Sequence, residues 1–170
     1  DRRPAGVLER EFPGTGLSLD VPPAGAVLDI LVENLGRVNY GPDLFDRKGI
    51  TGGVLAGDQT LFDWTVFPLP LDDLSGLAFR PAAETGGPAF YRGRFSVAEP
   101  NDGFLALPGW TKGVCWVNGH NLGRYWRVGP QRTLYVPAPF LIRGENQVLV
   151  LELHGTERDA VEFRDRPELG

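Results

Sequence analysis

The chain has 170 residues, of which 42% are hydrophobic, so it is long enough to bury the core of one ordinary domain or of two small ones. Its net charge of −5 and its dispersed basic residues argue against a nucleic-acid-binding surface, and no stretch approaches the roughly 18 apolar residues of a membrane span. With 23 glycines, 15 prolines and no sustained helical periodicity, the composition predicts an all-β protein of short strands joined by many turns.

Cysteine and methionine usage adds two expectations. The single cysteine, Cys115, excludes an internal disulfide, and the sequence contains no Asn-x-Ser/Thr glycosylation sequon. We therefore expect a cytoplasmic location. The absence of methionine, including at position 1, suggests that the sequence is a piece of a longer chain.

The first strand pattern lies between Gly25 and Gly36. Apolar residues at positions 28, 30 and 32 alternate with acidic or apolar ones, which predicts a strand with one face mostly buried. Together with the turn signals that follow, this pattern predicts a small β domain over residues 1–70. Residues 71–87 contain many helix and strand breakers without periodicity, so we assign them to a linker.

A second β domain is predicted over residues 88–170, where turn signals separate short apolar segments at regular spacing. Asn118-Gly119 predicts a tight hairpin because this pair readily adopts positive φ angles. Pro137–Gly144 has proline and glycine at the positions where one short helical turn starts and stops. The candidate strands are residues 90–97, 103–107, 113–117, 133–136 and 147–153.

No pattern in the chain predicts a catalytic or metal site. Glu9 and Glu11 would share one strand face, but two carboxylates on a polar strand are interpreted as solvated surface rather than as a glycosidase pair about 5–5.5 Å apart. Cys115 lies in an apolar strand and is interpreted as a small core residue. His120 and His154 have no partner at metal-ligand spacing, so we expect no metal and no cofactor.

One cluster is a candidate for sugar binding. Sugars stack their apolar faces on aromatic rings while polar groups bind their hydroxyls. The candidate carbohydrate contacts are Trp110, Asn118, His120, Asn121 and Trp126. The competing interpretation, which we favour, is that the rings pack in a sandwich core and the loop side chains satisfy their own turn.

The run GWTKGVCWVNGHNLGRYWRVGPQRTLYVP, residues 109–137, resembles the signature of the galactose-binding-like jelly roll of family 35 β-galactosidases. Six further segments are similar to the same family in the same order, most closely to its lysosomal-type members. They are GVLERE (6–11), LDILVENLGRVNYG (28–41), DRKGITGGV (46–54), DWTVFPL (63–69), PAFYRGRF (88–95) and VEFRDRPELG (161–170).

The resemblance implies a retaining glycoside hydrolase with an amino-terminal (β/α)8 barrel, which carries both catalytic glutamates, followed by two β domains. Nothing in this chain matches the barrel, so no catalytic residue is expected here. The implied role is a scaffold and docking surface for the catalytic barrel of the same polypeptide, with a β-galactoside or galactose bound by the parent enzyme. The alternative is an independent carbohydrate-binding module.

The resemblance also implies a role for the Arg-Val-Asn-Tyr-Gly motif. Its tyrosine, Tyr40, reaches the galactose pocket of the parent enzyme, and Arg37 and Asn39 support the loop. The fold implied is a jelly-roll β-sandwich preceded by part of a second, small β domain. Because part of that domain is expected to be missing, we predict uncovered apolar faces that pair with the second domain or drive homo-oligomer formation. No nucleic acid or membrane partner is expected.

Overall fold

The structure is a computed structural model, and it describes residues 4–9, 16–36, 38–81 and 86–170. The chain divides into two compact units. The described parts of residues 1–18 and 77–170 form one, here called the sandwich unit, and residues 19–76 form the other, here called the 19–76 unit. The division into residues 1–70, 71–87 and 88–170 stays a prediction.

All regular structure in the described residues consists of short strands and two single 3-10 turns, and neither turn approaches the length of a helix that spans a membrane. The 3-10 turns are Pro42–Phe45 and Ala138–Phe140. The strands are β1 (Leu55–Ala56), β2 (Gln59–Thr60), β3 (Ala89–Val97), β4 (Gly103–Ala106), β5 (Lys112–Val117), β6 (His120–Trp126), β7 (Thr133–Val136), β8 (Gly144–Glu152) and β9 (Glu162–Arg164).

The sandwich unit contains two antiparallel sheets. One has the strand order β3-β8-β5-β6 and the other the order β7-β4-β9. Non-consecutive strands are neighbours in both sheets, so distant parts of the chain pair with one another. This arrangement confirms the predicted all-β fold with a jelly-roll sandwich.

The core of the sandwich unit follows from strand alternation. On β5, Cys115 and Val117 belong to one buried apolar cluster, which also receives Leu105 from β4, Val136 from β7 and Val150 from β8. Because every second side chain of a strand points to the same face, these residues form one layer that both sheets contribute to. The core therefore explains why short strands of the predicted spacing hold together.

The predicted local features of this unit are confirmed. All five candidate strands are present with small shifts of their ends, and a 3-10 turn lies within residues 137–144. Asn118 and Gly119 connect β5 to β6 with φ angles of 47° and 83°. Both angles are positive, as a two-residue hairpin turn requires, and the absence of a Cβ makes this conformation inexpensive for Gly119.

The 19–76 unit has little regular structure. Its strands β1 and β2 pair over two residues each, and none of its described residues is buried. The strand predicted between Gly25 and Gly36 is wrong, since the described residues of that segment form no strand. A strand needs a hydrogen-bonding partner, and no described segment pairs with this one, so Leu28, Ile30 and Val32 stay exposed.

Candidate functional site

The loop that carries Tyr40 lies in the 19–76 unit. Tyr40 is 89% exposed and is followed by Gly41 and the 3-10 turn that begins at Pro42. Gly41 has φ 94°, a conformation that a side chain rarely adopts, so it fixes a sharp change of direction directly after the tyrosine. The ring and hydroxyl of Tyr40 therefore project into solvent, where they are accessible to a partner or ligand.

The structure describes one of the two residues that are predicted to support this loop. Asn39 is exposed, and Arg37 lies outside the described residues. Asp46, which follows the 3-10 turn of this loop, contacts the ammonium group of Lys48. The roles of Arg37 and Asn39 stay predictions.

The same unit contains an open apolar depression of about 280 Å³. The indole of Trp64 lines this depression, and its ring nitrogen donates a hydrogen bond to the carbonyl oxygen of Leu61 at 3.1 Å. Tyr40 does not line this depression. The lining residues are Ile50, Gly52, Gly53, Val54, Thr60, Leu61, Phe62 and Trp64.

In the sandwich unit, the only fully buried carboxylate of the described residues is Glu152, at the end of β8. Its two oxygens accept five hydrogen bonds of 2.8–3.3 Å, donated by the amides of Thr111, Lys112, His154 and Gly155 and by the hydroxyl of Tyr125. Five donors around one carboxylate suit its ionised form, which only accepts. Glu152 therefore joins the entry to β5 to the turn after β8 and is not available to a substrate.

Burial raises the pKa of two other titratable groups of this core, the Cys115 thiol and the Tyr125 hydroxyl. Burial raises the pKa of the Cys115 thiol to about 12, so it stays protonated and is a poor nucleophile. Burial and then the neighbouring Glu152 charge raise the pKa of the Tyr125 hydroxyl, which stays a hydrogen-bond donor. Both groups serve packing and hydrogen bonding, as predicted for Cys115.

The structure places the five candidate sugar contacts in three different locations. Trp110 is only 3% exposed, its ring packs edge-on against Tyr91 at 5.0 Å, and its nitrogen donates to the carbonyl oxygen of Ala160. A ring enclosed in this way presents no face for a sugar to stack on. The sugar-binding role of Trp110 thus stays a prediction, and its observed contacts are those of a core residue.

Asn121 and Trp126 lie on the outer face of the four-stranded sheet. Across the β5–β6 pairing, Asn121 is opposite Trp116 and Trp126 is opposite Lys112. Directly paired residues share one face of a sheet, and neither Trp116 nor Lys112 belongs to the core cluster. The Lys112 ammonium lies 4.4 Å from the centre of the Trp126 ring, so one aromatic face is already occupied by a cation.

Asn118 and His120 lie at the end of the sandwich, on the hairpin between β5 and β6. The imidazole of His120 stacks on the ring of Phe140, with centroids 4.0 Å apart and planes inclined by 9°. Asn118 donates to the carbonyl oxygen of Phe140 at 2.8 Å and to the side-chain oxygen of Asn146 at 2.7 Å. Phe140 was not a predicted site residue, because its Pro-Ala-Pro-Phe context gave only a turn signal.

No group of three histidine, cysteine or acidic side chains in the described residues is arranged to hold a metal ion. His154 instead lies near Glu9, with 3.5 Å between its Nε2 atom and the carboxylate. Glu11, the other carboxylate considered in the sequence, lies outside the described residues. Glu152 escaped the sequence analysis, although a lone carboxylate within the apolar run Val148–Leu153 is a signal for a buried, fully hydrogen-bonded charge.

Comparison with known protein families adds two matches. Residues 1–70 match the model of the β-galactosidase first all-β domain, and residues 88–146 match the model of the β-galactosidase galactose-binding domain. The two domain models match the chain in the order expected from the sequence motifs. The second match contains the whole hairpin of Asn118 and Gly119.

Related proteins agree over a wider span. β-Galactosidase from Homo sapiens is 41% identical over 201 aligned residues, which cover 100% of this chain and 29% of that protein. The Canis lupus familiaris β-galactosidase is 42% identical (100% and 30%), and the human β-galactosidase-1-like protein 2 is 44% identical (85% and 24%). The chain thus spans less than a third of the length of these relatives. The chain belongs to the β-galactosidase family and corresponds to the carboxy-terminal β domains of its lysosomal-type members.

Proposed function

We propose that this chain is a non-catalytic scaffold of a retaining β-galactosidase and that its 19–76 unit docks on the catalytic barrel of the same polypeptide. The observation that carries the proposal is the exposure of the 19–76 unit, none of whose described residues is buried. Six large apolar side chains of this unit are at least 76% exposed: Val27, Tyr40, Phe45, Phe62, Val66 and Phe67.

Exposure of so many large apolar side chains in one unit favours a surface that a partner covers. Soluble monomers rarely leave large contiguous apolar areas in water, because each buried Å² of apolar surface contributes about 25 cal/mol. The related proteins are more than three times as long as this chain, which supports a partner within the same polypeptide. A second copy of the chain is the competing partner, as in the predicted homo-oligomer.

The parent enzyme is proposed to remove terminal β-linked galactose with retention, through a covalent galactosyl-enzyme intermediate. That chemistry needs two carboxyl groups about 5–5.5 Å apart, one as nucleophile and one as acid/base. Among the described residues the only buried acid is Glu152, which is enclosed by five donors. We therefore assign both catalytic glutamates to the barrel and none to this chain.

Tyr40 is proposed to complete the wall of the galactose pocket in the parent enzyme. Its exposed ring and hydroxyl suit an apolar contact with the sugar and one hydrogen bond to a hydroxyl group. Arg37 and Asn39 are proposed to hold the loop. In this role Tyr40 contributes to affinity, whereas the proton transfers remain with the barrel.

The proposal is tested first by hydrolysis. The purified chain is expected to release no nitrophenol from p-nitrophenyl β-galactoside, and reproducible release by the chain would overturn the scaffold assignment. The gene sequence upstream should encode, in frame, a barrel with two glutamates. A start codon without a barrel would overturn the docking assignment.

Docking itself is tested by co-expression of this chain with the upstream barrel segment and co-purification of the two. We expect Phe62→Asp together with Phe67→Asp to abolish co-purification, because two charges would be buried at the interface. Ile142→Asp is the matched control, since Ile142 is similarly exposed but lies in the sandwich unit. Unchanged co-purification of the double variant with the barrel would contradict docking on the barrel. So would formation of a homodimer by the unmodified chain instead of a complex with the barrel.

A cytoplasmic location is a further part of the proposal. It rests on the single cysteine and on the absence of a glycosylation sequon. Fractionation of cells that produce the protein should place it with cytoplasmic markers, and recovery with secreted or membrane-enclosed fractions would contradict it.

The second candidate function is an independent carbohydrate-binding module. The stacked rings of His120 and Phe140 favour it, because they present an aromatic surface at the end of the sandwich. The dispersal of Trp110, Asn121 and Trp126 weighs against one large sugar site that includes all the predicted contacts.

A further inference from the structure

We propose that the depression in the 19–76 unit is an anchor site for one apolar side chain that projects from a basic surface of the catalytic barrel. The inference rests on the proposed function, because it takes the barrel as the partner of this unit, and it adds the chemistry by which the two recognise each other. Three observations carry it: the apolar lining of the depression, its small volume and the charge of the surrounding unit.

The lining of the depression selects an apolar occupant. None of its eight residues is charged, and Thr60 has the only side-chain hydroxyl among them. The indole N–H of Trp64 already donates to the carbonyl oxygen of Leu61. A polar ligand would therefore give up hydrogen bonds to water without gaining enough replacements, whereas an apolar side chain gains from burial.

The size of the depression suits a single side chain. Its volume of about 280 Å³ lies just below the roughly 300–1,000 Å³ of pockets that hold small-molecule ligands. The anchor residues at the centre of protein interfaces fill spaces of this kind with one aromatic or aliphatic side chain. The depression is therefore the size of an anchor site at an interface.

Hydrogen bonds of the local backbone hold the walls of the depression in place. Beside the β1–β2 hairpin, the amide of Leu61 donates to the carbonyl oxygen of Val54 at 2.9 Å. Asp63 then has φ 58°, a left-handed conformation that is uncommon for a residue with a side chain. After this turn the Trp64 indole bonds back to Leu61, while Phe62 stays 77% exposed. Walls that are held before a partner arrives lower the cost of binding.

The charge of the unit selects a basic partner. Residues 19–76 contain nine acidic and three basic residues, a net charge of −6, whereas the rest of the chain has a net charge of +1. Asp58 lies in the turn between β1 and β2, and Asp63 lies between two lining residues, so both belong to the segments that form the depression. A second copy would bring the same negative unit to a symmetric contact, where like charges oppose association. The charge thus favours a basic surface of the barrel over a homodimer.

The test is a titration of the ¹⁵N-labelled full chain with three capped tripeptides, followed through the indole signals in NMR spectra. Ac-Lys-Phe-Lys-NH₂ combines an apolar ring with two positive charges, Ac-Glu-Phe-Glu-NH₂ reverses the charges, and Ac-Lys-Ala-Lys-NH₂ lacks the ring. We expect the first peptide to shift the Trp64 indole signal with a millimolar dissociation constant and the other two to bind about tenfold more weakly. No shift of this signal at about 20 mM of the first peptide, or equal binding of the two phenylalanine peptides, would overturn the proposal.

A variant that fills the depression tests the apolar contact. A Cβ atom at Gly53 would meet the methyl group of Thr60 at 3.7 Å, an ordinary contact, so the side chain of Gly53→Leu would occupy the depression without strain. We expect this variant to bind the first peptide about tenfold more weakly. Gly76→Leu is the matched control, because open space surrounds that position in the same unit. Equal binding by the two variants would contradict the anchor site.

A second variant tests the charges. Asp58→Asn together with Asp63→Asn removes two negative charges and keeps the conformation at position 63, which asparagine also adopts. The preference for the lysine peptide over the glutamate peptide should fall about threefold, whereas Asp159→Asn in the sandwich unit should leave it unchanged. An unaltered preference in the double variant would contradict the proposal. Co-purification with the barrel is measured separately, so a chain that co-purifies but binds none of the peptides loses the anchor site and keeps its scaffold role.

Discussion

The two units of this chain differ in what their apolar residues achieve. The sandwich unit encloses residues such as Leu105 and Val136 completely, while the 19–76 unit leaves Val27 and Phe45 more than 80% exposed. Both sequences carry strand-like apolar patterns. The difference shows that such a pattern yields a folded layer only where the chain also supplies the strands that pair with it and cover it.

The largest expected effect is at Gly113 in β5. A Cβ atom there would lie 1.8 Å from the carbonyl oxygen of Leu151 on the neighbouring strand, and backbone cannot move aside cheaply. We expect Gly113→Ala to destabilise the sandwich unit by about 4 kcal/mol or more, measured by urea unfolding. Gly52→Ala is the control in the 19–76 unit, because open space surrounds that position. Equal stability of the two variants would remove the contrast between the units.

The second prediction compares two leucines. Leu105 is fully buried, so Leu105→Ala should cost about 3 kcal/mol through lost burial and the cavity left behind. Leu69 is 62% exposed in the 19–76 unit, so Leu69→Ala should change the free energy of unfolding by less than about 0.5 kcal/mol. A large effect at Leu69 would mean that the 19–76 unit buries this side chain in solution.

The third prediction concerns the buried charge. Replacing Glu152 by glutamine turns one acceptor oxygen into an NH₂ group that faces backbone donors, so we expect a loss of about 2–3 kcal/mol in unfolding free energy. Glu157→Gln is the control, because Glu157 is exposed on the same turn. If Glu152→Gln were as stable as Glu157→Gln, the carboxylate would not be the link between β5 and the turn after β8.

The smallest effect is expected at the exposed Glu168. The hydrogen bond from Arg132, and then that from Arg164, lowers the pKa of Glu168 below its ordinary value near 4.5. A carboxyl group whose pKa is lower in the folded state than in the unfolded state stabilises the fold. This stabilisation is complete above the unfolded-state pKa and is lost as the pH falls through the folded-state pKa. Residues 162–170 should therefore loosen only below about pH 4.5, as monitored by the amide signals of Thr133 and Glu168. Glu168→Gln should abolish this pH dependence, and an unchanged transition in the variant would contradict it.

Much of the sandwich fold was predictable because its signals are local. Alternation and turn residues predicted five strands, and Asn118-Gly119 predicted the hairpin. β6 escaped notice because Asn121 and Gly123 interrupt its apolar pattern, and it becomes a strand through pairing with β5 across an irregularity in register. β9 is short and charged, and it too exists through its partner, β4.

The candidate site was predictable only in part. The sequence around an aromatic residue looks the same whether its ring is enclosed in the core, as in Trp110, or lies on the outer face of a sheet, as in Trp126. The backbone of Phe140 is joined to the hairpin by a hydrogen bond from Asn118, which lies 22 positions away in the sequence. A contact over this distance leaves no local sequence pattern. The segment from 28 to 32 carries a genuine alternation, but no described segment pairs with it, so the prediction of a strand failed.

The proximity of Glu9 and His154 has a consequence for biosynthesis. These residues belong to one compact unit, although the whole 19–76 unit lies between them in the sequence. A ribosome adds about 5–20 residues per second, so the segment around Glu9 emerges roughly 7–30 s before its histidine partner. During that interval the nascent segment remains open to chaperones and to misplaced contacts, and the earliest part of this chain is among the last to reach its native neighbours.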